Sequence, residues 1–171
     1  MEIKFNTTLD DLTERQFRLF ARGKTYKKNR WFGVAGSFLG VGTVFLILKN
    51  YFNAGFPMWF PLLLGGIGAT GYLIFYPDII RKNIKNYLAR KMKAELPGTT
   101  TYKIKDGQIT CNSLNIDISF EISELLHLKE DEKFIELSFG PKGLCVIPKR
   151  AFESIEDLDI FKNTIKSGQA A

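Results

Sequence analysis

Apolar and polar positions fall into three regimes along the chain. No charged residue occurs between Trp31 and Leu48, and after Lys49 none recurs until Asp78. About twenty apolar residues cross a bilayer as a helix, so the two stretches predict a transmembrane hairpin with spans at about 31–48 and 57–76. A hairpin buried in a soluble core would keep polar residues on its outward face, and neither span carries a charge. Upstream, Glu2 to Thr8 alternates as a short strand with Ile3 and Phe5 on one face. A helix over Leu9 to Arg22 follows, opened by Thr8 and Asp11 in the spacing of an N-terminal box. It directs Leu12, Phe20 and Phe17 toward apolar surroundings, and Gly23 is expected to loosen it.

Pro77 lacks an N–H and clashes with the preceding turn, so it should end or kink the second span. Ile80, Ile84, Leu88 and Met92 then recur at helical spacing with Tyr87 beside them, while Arg81, Lys82, Lys85 and Lys93 take other faces. The result is a basic juxtamembrane helix over 78–96. Pro97-Gly98 marks a boundary. Beyond it lie short strands: Thr100 to Lys105, the hairpin turn Asp106-Gly107, Gln108 to Cys111, Ile116 to Phe120, Leu125 to Lys129, Phe134 to Phe139 and Leu144 to Pro148. Ser154 begins a final helix with Asp157 as capping partner and Leu158, Phe161 and Ile165 as its apolar stripe.

The fold class expected is thus an α+β membrane protein. It comprises an N-terminal strand and helix (1–30), a hairpin (31–77), a basic helix (78–96) and a small antiparallel β domain closed by a C-terminal helix (97–171). That strand order is that of a pleckstrin-homology-like module, and Glu2 to Thr8 is free to add an edge strand that ties both termini into one domain.

Charge sets an orientation. The chain of 171 residues carries a net charge of +6, but the excess is local. Residues 1–30 and 78–96 are each +4, whereas 97–171 are −3. Loops rich in Lys and Arg stay cytoplasmic, which predicts a multi-pass protein of the inner (plasma) membrane with both termini inside. Basic residues beside a membrane meet anionic lipid, so membrane lipids are expected partners. The acidic tail argues against nucleic acid. No cleavable signal peptide is expected, because the first apolar run begins only at Trp31.

Small residues recur within the spans. Gly36 and Gly40 form one close-packing pair, and Gly65 with Ala69 forms another; such residues let helices approach in lipid. The pairs serve packing between the two spans or a second face for a homo-oligomer or a protein partner. Trp31, Tyr51, Trp59 and Tyr76 fall where interfacial aromatic residues sit.

Candidate chemistry is sparse. His127 is the single histidine, read as pointing outward from a strand, and Cys111 and Cys145 read as buried thiols. These do not make a metal-ligand cluster, and the chain lacks the phosphate-loop and nucleophile-elbow patterns. No catalytic residue, metal or cofactor is expected, and the protein is read as not an enzyme.

The run Ile147-Pro148-Lys149-Arg150-Ala151-Phe152, followed by Ser154 and a helix ending near Lys166, resembles the end of the YcxB-like family of bacterial membrane proteins. The layout of strand, helix, two spans, basic helix and strands is similar to that family as well. The resemblance implies a tail of pleckstrin-homology-like fold and supplies no catalytic residues. Within the motif, Pro148 should end the last strand and Ala151 and Phe152 should anchor the turn in the core. Lys149 and Arg150 then either meet an anionic headgroup or acidic partner, as Arg81, Lys82 and Lys85 would, or pair with Glu153, Glu156 or Asp157.

The function expected is a non-enzymatic membrane protein whose cytoplasmic domain is a protein or lipid interaction module. Two other readings fit the sequence: an immunity protein that neutralises a membrane-active toxin, and an accessory subunit of a transporter or channel.

Overall fold

A computed structural model describes all residues except 53–56, 58, 93–95, 97, 114–115 and 171. The chain forms two compact units, Met1–Gln16 with Lys85–Ala171, and Phe17–Ile84.

The first unit is α+β. Strand β1 (Glu2–Thr7) leads into helix α1 (Leu9–Arg22), whose first eight residues belong to this unit. The chain returns as β2 (Gly98–Lys105), β3 (Gln108–Ser113) and β4 (Ile116–Glu121). These make one antiparallel sheet in the order β1-β2-β3-β4, and β1 pairs with β2 from Glu2 opposite Lys103 to Thr7 opposite Gly98. Residues 8–97 are therefore inserted between two neighbouring strands, and the chain's first residues complete a sheet built otherwise from its second half. A ladder of buried hydroxyls crosses the three strands: Thr7 Oγ1 bonds Thr100 Oγ1, which lies 2.6 Å from Ser113 Oγ. The two-residue turn between β2 and β3 needs positive φ at both positions; Asp106 has φ 51° and Gly107 φ 75°.

A second antiparallel sheet holds β5 (His127–Glu130), β6 (Phe134–Ser138) and β7 (Leu144–Pro148) in that order. Both sheets feed one core. Ile3, Tyr102, Ile109 and Cys111 from the first meet Ile135, Leu137, Cys145 and Ile147 from the second, with Phe161 and Ile165 from helix α4 (Ile155–Ala170). Phe120 and Phe139 stack at 4.4 Å across this core. Phe161 and Ile165 are wholly buried, each contributing about 1.5–3 kcal/mol. Ser154 caps α4: its Oγ accepts the Asp157 N–H at 3.1 Å and donates to Asp157 Oδ2 at 3.1 Å. The helix runs past Lys166, where the motif had placed its end. Its last turn is latched there, because Gly168 packs on Ile122 and Gln169 Nε2 donates to the Leu125 carbonyl at 2.8 Å.

The second unit is helical. Helix α2 (Lys24–Phe52) and helix α3 (Phe60–Lys91) have 29 and 32 residues, about 43 and 48 Å at 1.5 Å per residue. Both are long and apolar enough to cross a membrane. The helices exceed the spans read from the apolar runs. Helix α2 begins immediately after Gly23, so the basic approach to Trp31 is helical. Helix α3 does not end at Pro77 but carries through it to Lys91, so the basic helix expected over 78–96 is, to Lys91, the continuation of the second apolar helix.

Where α2 begins it meets α3 in an aromatic cluster. Tyr26 lies 5.2 Å from Tyr76 and 6.0 Å from Phe17, and Tyr72 lies 5.2 Å from Tyr76, with Ile80 and Ile84 packed alongside. Trp31, Tyr51 and Trp59 are exposed as interfacial residues would be, but Tyr76 is 5% exposed and belongs to this cluster.

Candidate functional site

The motif Ile147–Phe152 gathers the most organised polar constellation. Pro148 ends β7, a 3-10 turn follows over Lys149–Ala151, and Ala151 and Phe152 pack against the core. The Phe152 and Phe161 rings lie 5.3 Å apart. The turn aims Arg150 at the start of α1. There the expected capping box forms: Asp11 Oδ2 accepts the Thr8 N–H at 2.7 Å and the Thr8 hydroxyl at 2.8 Å, and Thr8 Oγ1 accepts the Asp11 N–H at 3.3 Å.

Arg150 grips the same carboxylate from the other side. Its Nη1 donates to Asp11 Oδ1 at 2.9 Å and its Nη2 donates both to Asp11 Oδ2 and to the Asn6 carbonyl at 3.2 Å. Its guanidinium also lies 5.9 Å from the Phe5 ring centre. Burial pushes the Asp11 carboxyl up, but the hydrogen bonds from Arg150 and Thr8 and the Arg150 charge outweigh it and hold the group below the usual carboxylate range. A planar fork on both carboxylate oxygens is the geometry at which arginine outperforms lysine.

Lys149 is also engaged. Its Nζ lies 2.6 Å from Glu130 Oε1, and Lys162 shares that carboxylate at 3.2 Å while reaching Asp159 at 2.8 Å. Hydrogen bonds from Lys149 and Lys162 hold the Glu130 carboxyl below its ordinary range. Neither Lys149 nor Arg150 pairs with Glu153, Glu156 or Asp157, the acids nearest in sequence; each takes a carboxylate from another element instead.

The other basic candidates divide. Arg81 lies 4.0 Å over the Phe17 ring and 3.3 Å from Asp78 Oδ1. Lys85 is 2.6 Å from Asp10 Oδ1. Lys82 is exposed. Lys24, Lys27 and Lys28, which in the sequence belong to the basic flank that sets the orientation, are exposed on the first two turns of α2.

The small residues divide in the same way. A Cβ added at Gly33 would overlap the Tyr72 ring, one at Gly65 would sit 3.0 Å from the Phe38 carbonyl, and one at Gly68 3.1 Å from Val41. These glycines are the close approaches of α2 and α3. Gly36 and Gly40 have open space where a Cβ would be, and Ala69 is half-buried. Of the four packing candidates, Gly65 is thus a close approach to the other helix, while Gly36 and Gly40 make no such approach, and Gly40 lines an open groove shared with Gly68. Only the register of the two helices selects Gly33 and Gly68, and glycine content along each helix does not reveal that register.

Cys111 and Cys145 are buried free thiols, and His127 is exposed. Burial pushes both thiols up from their ordinary range. Among the described residues no group of three His, Cys, Asp or Glu side chains is placed to hold a metal ion.

These features define an α+β chain with antiparallel sheets and two helices of membrane-spanning length. Residues 104–165 match the model of the YcxB-like protein family, the family that the Ile147–Phe152 motif resembles. The matched stretch runs from Ile104 in β2 to Ile165 in α4, so it holds Arg150 but not Asp11. No curated protein and no solved structure matches the chain.

Proposed function

We propose that this protein is a non-enzymatic, multi-pass protein of the bacterial inner membrane, anchored by α2 and α3, whose tail is a pleckstrin-homology-like module that binds a protein partner at the cytoplasmic face. One observation carries the membrane reading. None of the most apolar eighteen-residue window of α2, and 11% of that of α3, is buried. A core helix of a soluble protein would be mostly buried, and apolar surface on this scale needs a non-aqueous neighbour.

The pairing of β1 with β2 supports an even number of crossings. Thr7 and Gly98 are register partners, so the inserted helices must return the chain to the side it left. Basic residues outside both apolar runs favour the cytoplasm as that side. A four-stranded antiparallel sheet, a three-stranded one and a closing C-terminal helix support the pleckstrin-homology-like reading of the tail. That the basic motif residues Lys149 and Arg150 are already held by carboxylates favours a protein partner for the tail over a headgroup gripped by that motif.

Two experiments test the reading. Single cysteines at Asn6, Asn50 and Asn163, in a chain with Cys111 and Cys145 replaced by Ser, should report topology by labelling with a membrane-impermeant maleimide. Asn50 should label from outside and the other two only after permeabilisation; labelling of Asn6 and Asn163 on opposite sides would overturn it. Native-membrane purification in mild detergent should retain a stoichiometric protein partner that is lost when residues 97–171 are removed. Recovery of this chain alone would remove the partner and leave a self-assembling membrane protein.

A further inference from the structure

Helix α2 begins with a stripe that has no neutralising acid among the described residues. Lys24, Lys27, Lys28, Trp31 and Phe32 fall at i, i+3, i+4, i+7 and i+8 of one helix, so they share a face. All five are exposed, and Trp31 and Phe32 are each 67% exposed. Lys28 Nζ lies 5.6 Å from the Phe32 ring centre. Among the described residues none of the three lysines has a carboxylate partner. Asp78 is the single acid between residues 23 and 84, and it is occupied by Arg81. Lysines three and four apart repel one another on a helix. The arrangement therefore calls for an anionic partner from outside the chain. Arg81, Lys85, Lys149 and Arg150 differ in kind, since each is already held by a carboxylate.

We infer that this face of α2 binds the phosphate-bearing headgroups of anionic phospholipid at the surface of the bilayer. The inference rests on the membrane reading above. The order along the stripe fits a bilayer boundary. The ammonium groups come first and the two rings follow one turn later, where indole and phenyl rings settle between headgroups and acyl chains. Flexible lysine stems let the charges reach upward to phosphate while their methylenes cover apolar surface.

Trp31 supplies the probe. In full-length Trp59→Phe protein, Trp31 is the sole tryptophan. The chain is reconstituted in equal mixtures of phosphatidylglycerol and phosphatidylcholine, with brominated acyl chains on one lipid or the other. Quenching of Trp31 then gives the relative binding constant of the two lipids. Phosphatidylglycerol should be preferred by about fivefold or more, the effect of one lysine near an anionic surface. The preference should fall to about one in the K24Q/K27Q/K28Q chain, persist in the K24R/K27R/K28R chain, and be absent at Trp59 in a Trp31→Phe chain. Should the glutamine chain not reconstitute, high salt on the unaltered lysines replaces it, because screening should abolish the preference. Equal quenching of Trp31 by both lipids, or a preference that survives the glutamine substitutions, overturns the inference and leaves the membrane reading standing. Quenching by neither lipid overturns the membrane reading itself.

Discussion

Arg30 Nη2 donates to the carbonyl of Leu73 at 3.4 Å, and that carbonyl is the one that Pro77, lacking an N–H, leaves without its helical donor. The contact explains how α3 passes through a proline. An interior proline costs a helix about 3 kcal/mol, part of it for the orphaned carbonyl, and here a side chain from the facing helix supplies a donor. The bond is long, and Arg30 Nε has no hydrogen-bond partner among the described residues, so its contribution is modest. Arg30→Ala should lower stability in detergent by about 1 kcal/mol. In a Pro77→Ala background, where the backbone N–H returns, the same substitution should cost measurably less. A double-mutant cycle read by thermal unfolding of α2 and α3 checks this; equal losses in both backgrounds would remove the link.

The grip of Arg150 on Asp11 ties the start of the inserted segment to the tail. Either Asp11→Asn or Arg150→Ala should loosen β1, with a loss of about 1–2 kcal/mol after allowance for the half-exposed guanidinium. Hydrogen exchange over residues 1–8 should rise several-fold in both variants and not further in the double variant. The Asp11 carboxyl titrates below its ordinary value of 3.8 in the folded chain. Its contribution is therefore full above the unfolded value and is lost as pH falls below about 4 through the folded one. Asp11→Asn should flatten that acid limb and leave the neutral plateau lower.

The two thiols report the integrity of the same core. Cys111 and Cys145 are each 1% exposed, and burial pushes both above their ordinary range. Since the thiolate is the nucleophile, neither should react with a bulky maleimide at pH 7 in the intact protein, and both should react together once the sheets unfold. Gel-shift counting against denaturant measures this. Reaction of one thiol ahead of the other would show that the two sheets open separately.

What could be read from the sequence, and what could not, follows from how local each determinant is. The Asp106-Gly107 turn and the boxes at Thr8 and Ser154 rest on neighbours within four residues and appear where expected, and the strands do so to within two residues: β5 begins at His127 rather than Leu125, and β3 runs to Ser113 rather than Cys111. The pairing of β1 with β2 was open from the pattern alone, because an edge strand is as consistent with Ile3 and Phe5 as a free one. The Asp11–Arg150 contact joins residues 139 positions apart, and nothing local to Arg150 favours Asp11 over Glu153. The helix bounds differ from the apolar runs in both directions: α2 and α3 extend into the charged flanks, but α3 begins at Phe60 rather than Pro57 and ends at Lys91 rather than at 96. The apolar runs end where charge begins, but Lys and Arg continue a helix about as well as Leu does once a turn is formed. Tyr76 looked like an interfacial residue for the same reason, since the partner it packs on, Tyr26, lies outside the apolar run.

The face on which α2 meets α3 is open to a direct substitution test. Tyr72 occupies the space beside Gly33, and Phe38 and Val41 approach Gly65 and Gly68, whereas Gly36 and Gly40 face open space. A methyl at Gly33 would overlap the Tyr72 ring, and overpacking of this kind costs about 1–3 kcal/mol. Gly33→Ala should therefore lower the unfolding temperature in detergent clearly, and Gly65→Ala should do so as well, since the atom in the way there is backbone. Gly36→Ala and Gly40→Ala should leave that temperature unchanged or raise it slightly, because alanine is the better helix former. If the Gly36 and Gly40 variants were instead the destabilised ones, that face would be buried in the native assembly, and their effect should then depend on protein concentration while that of Gly33→Ala should not.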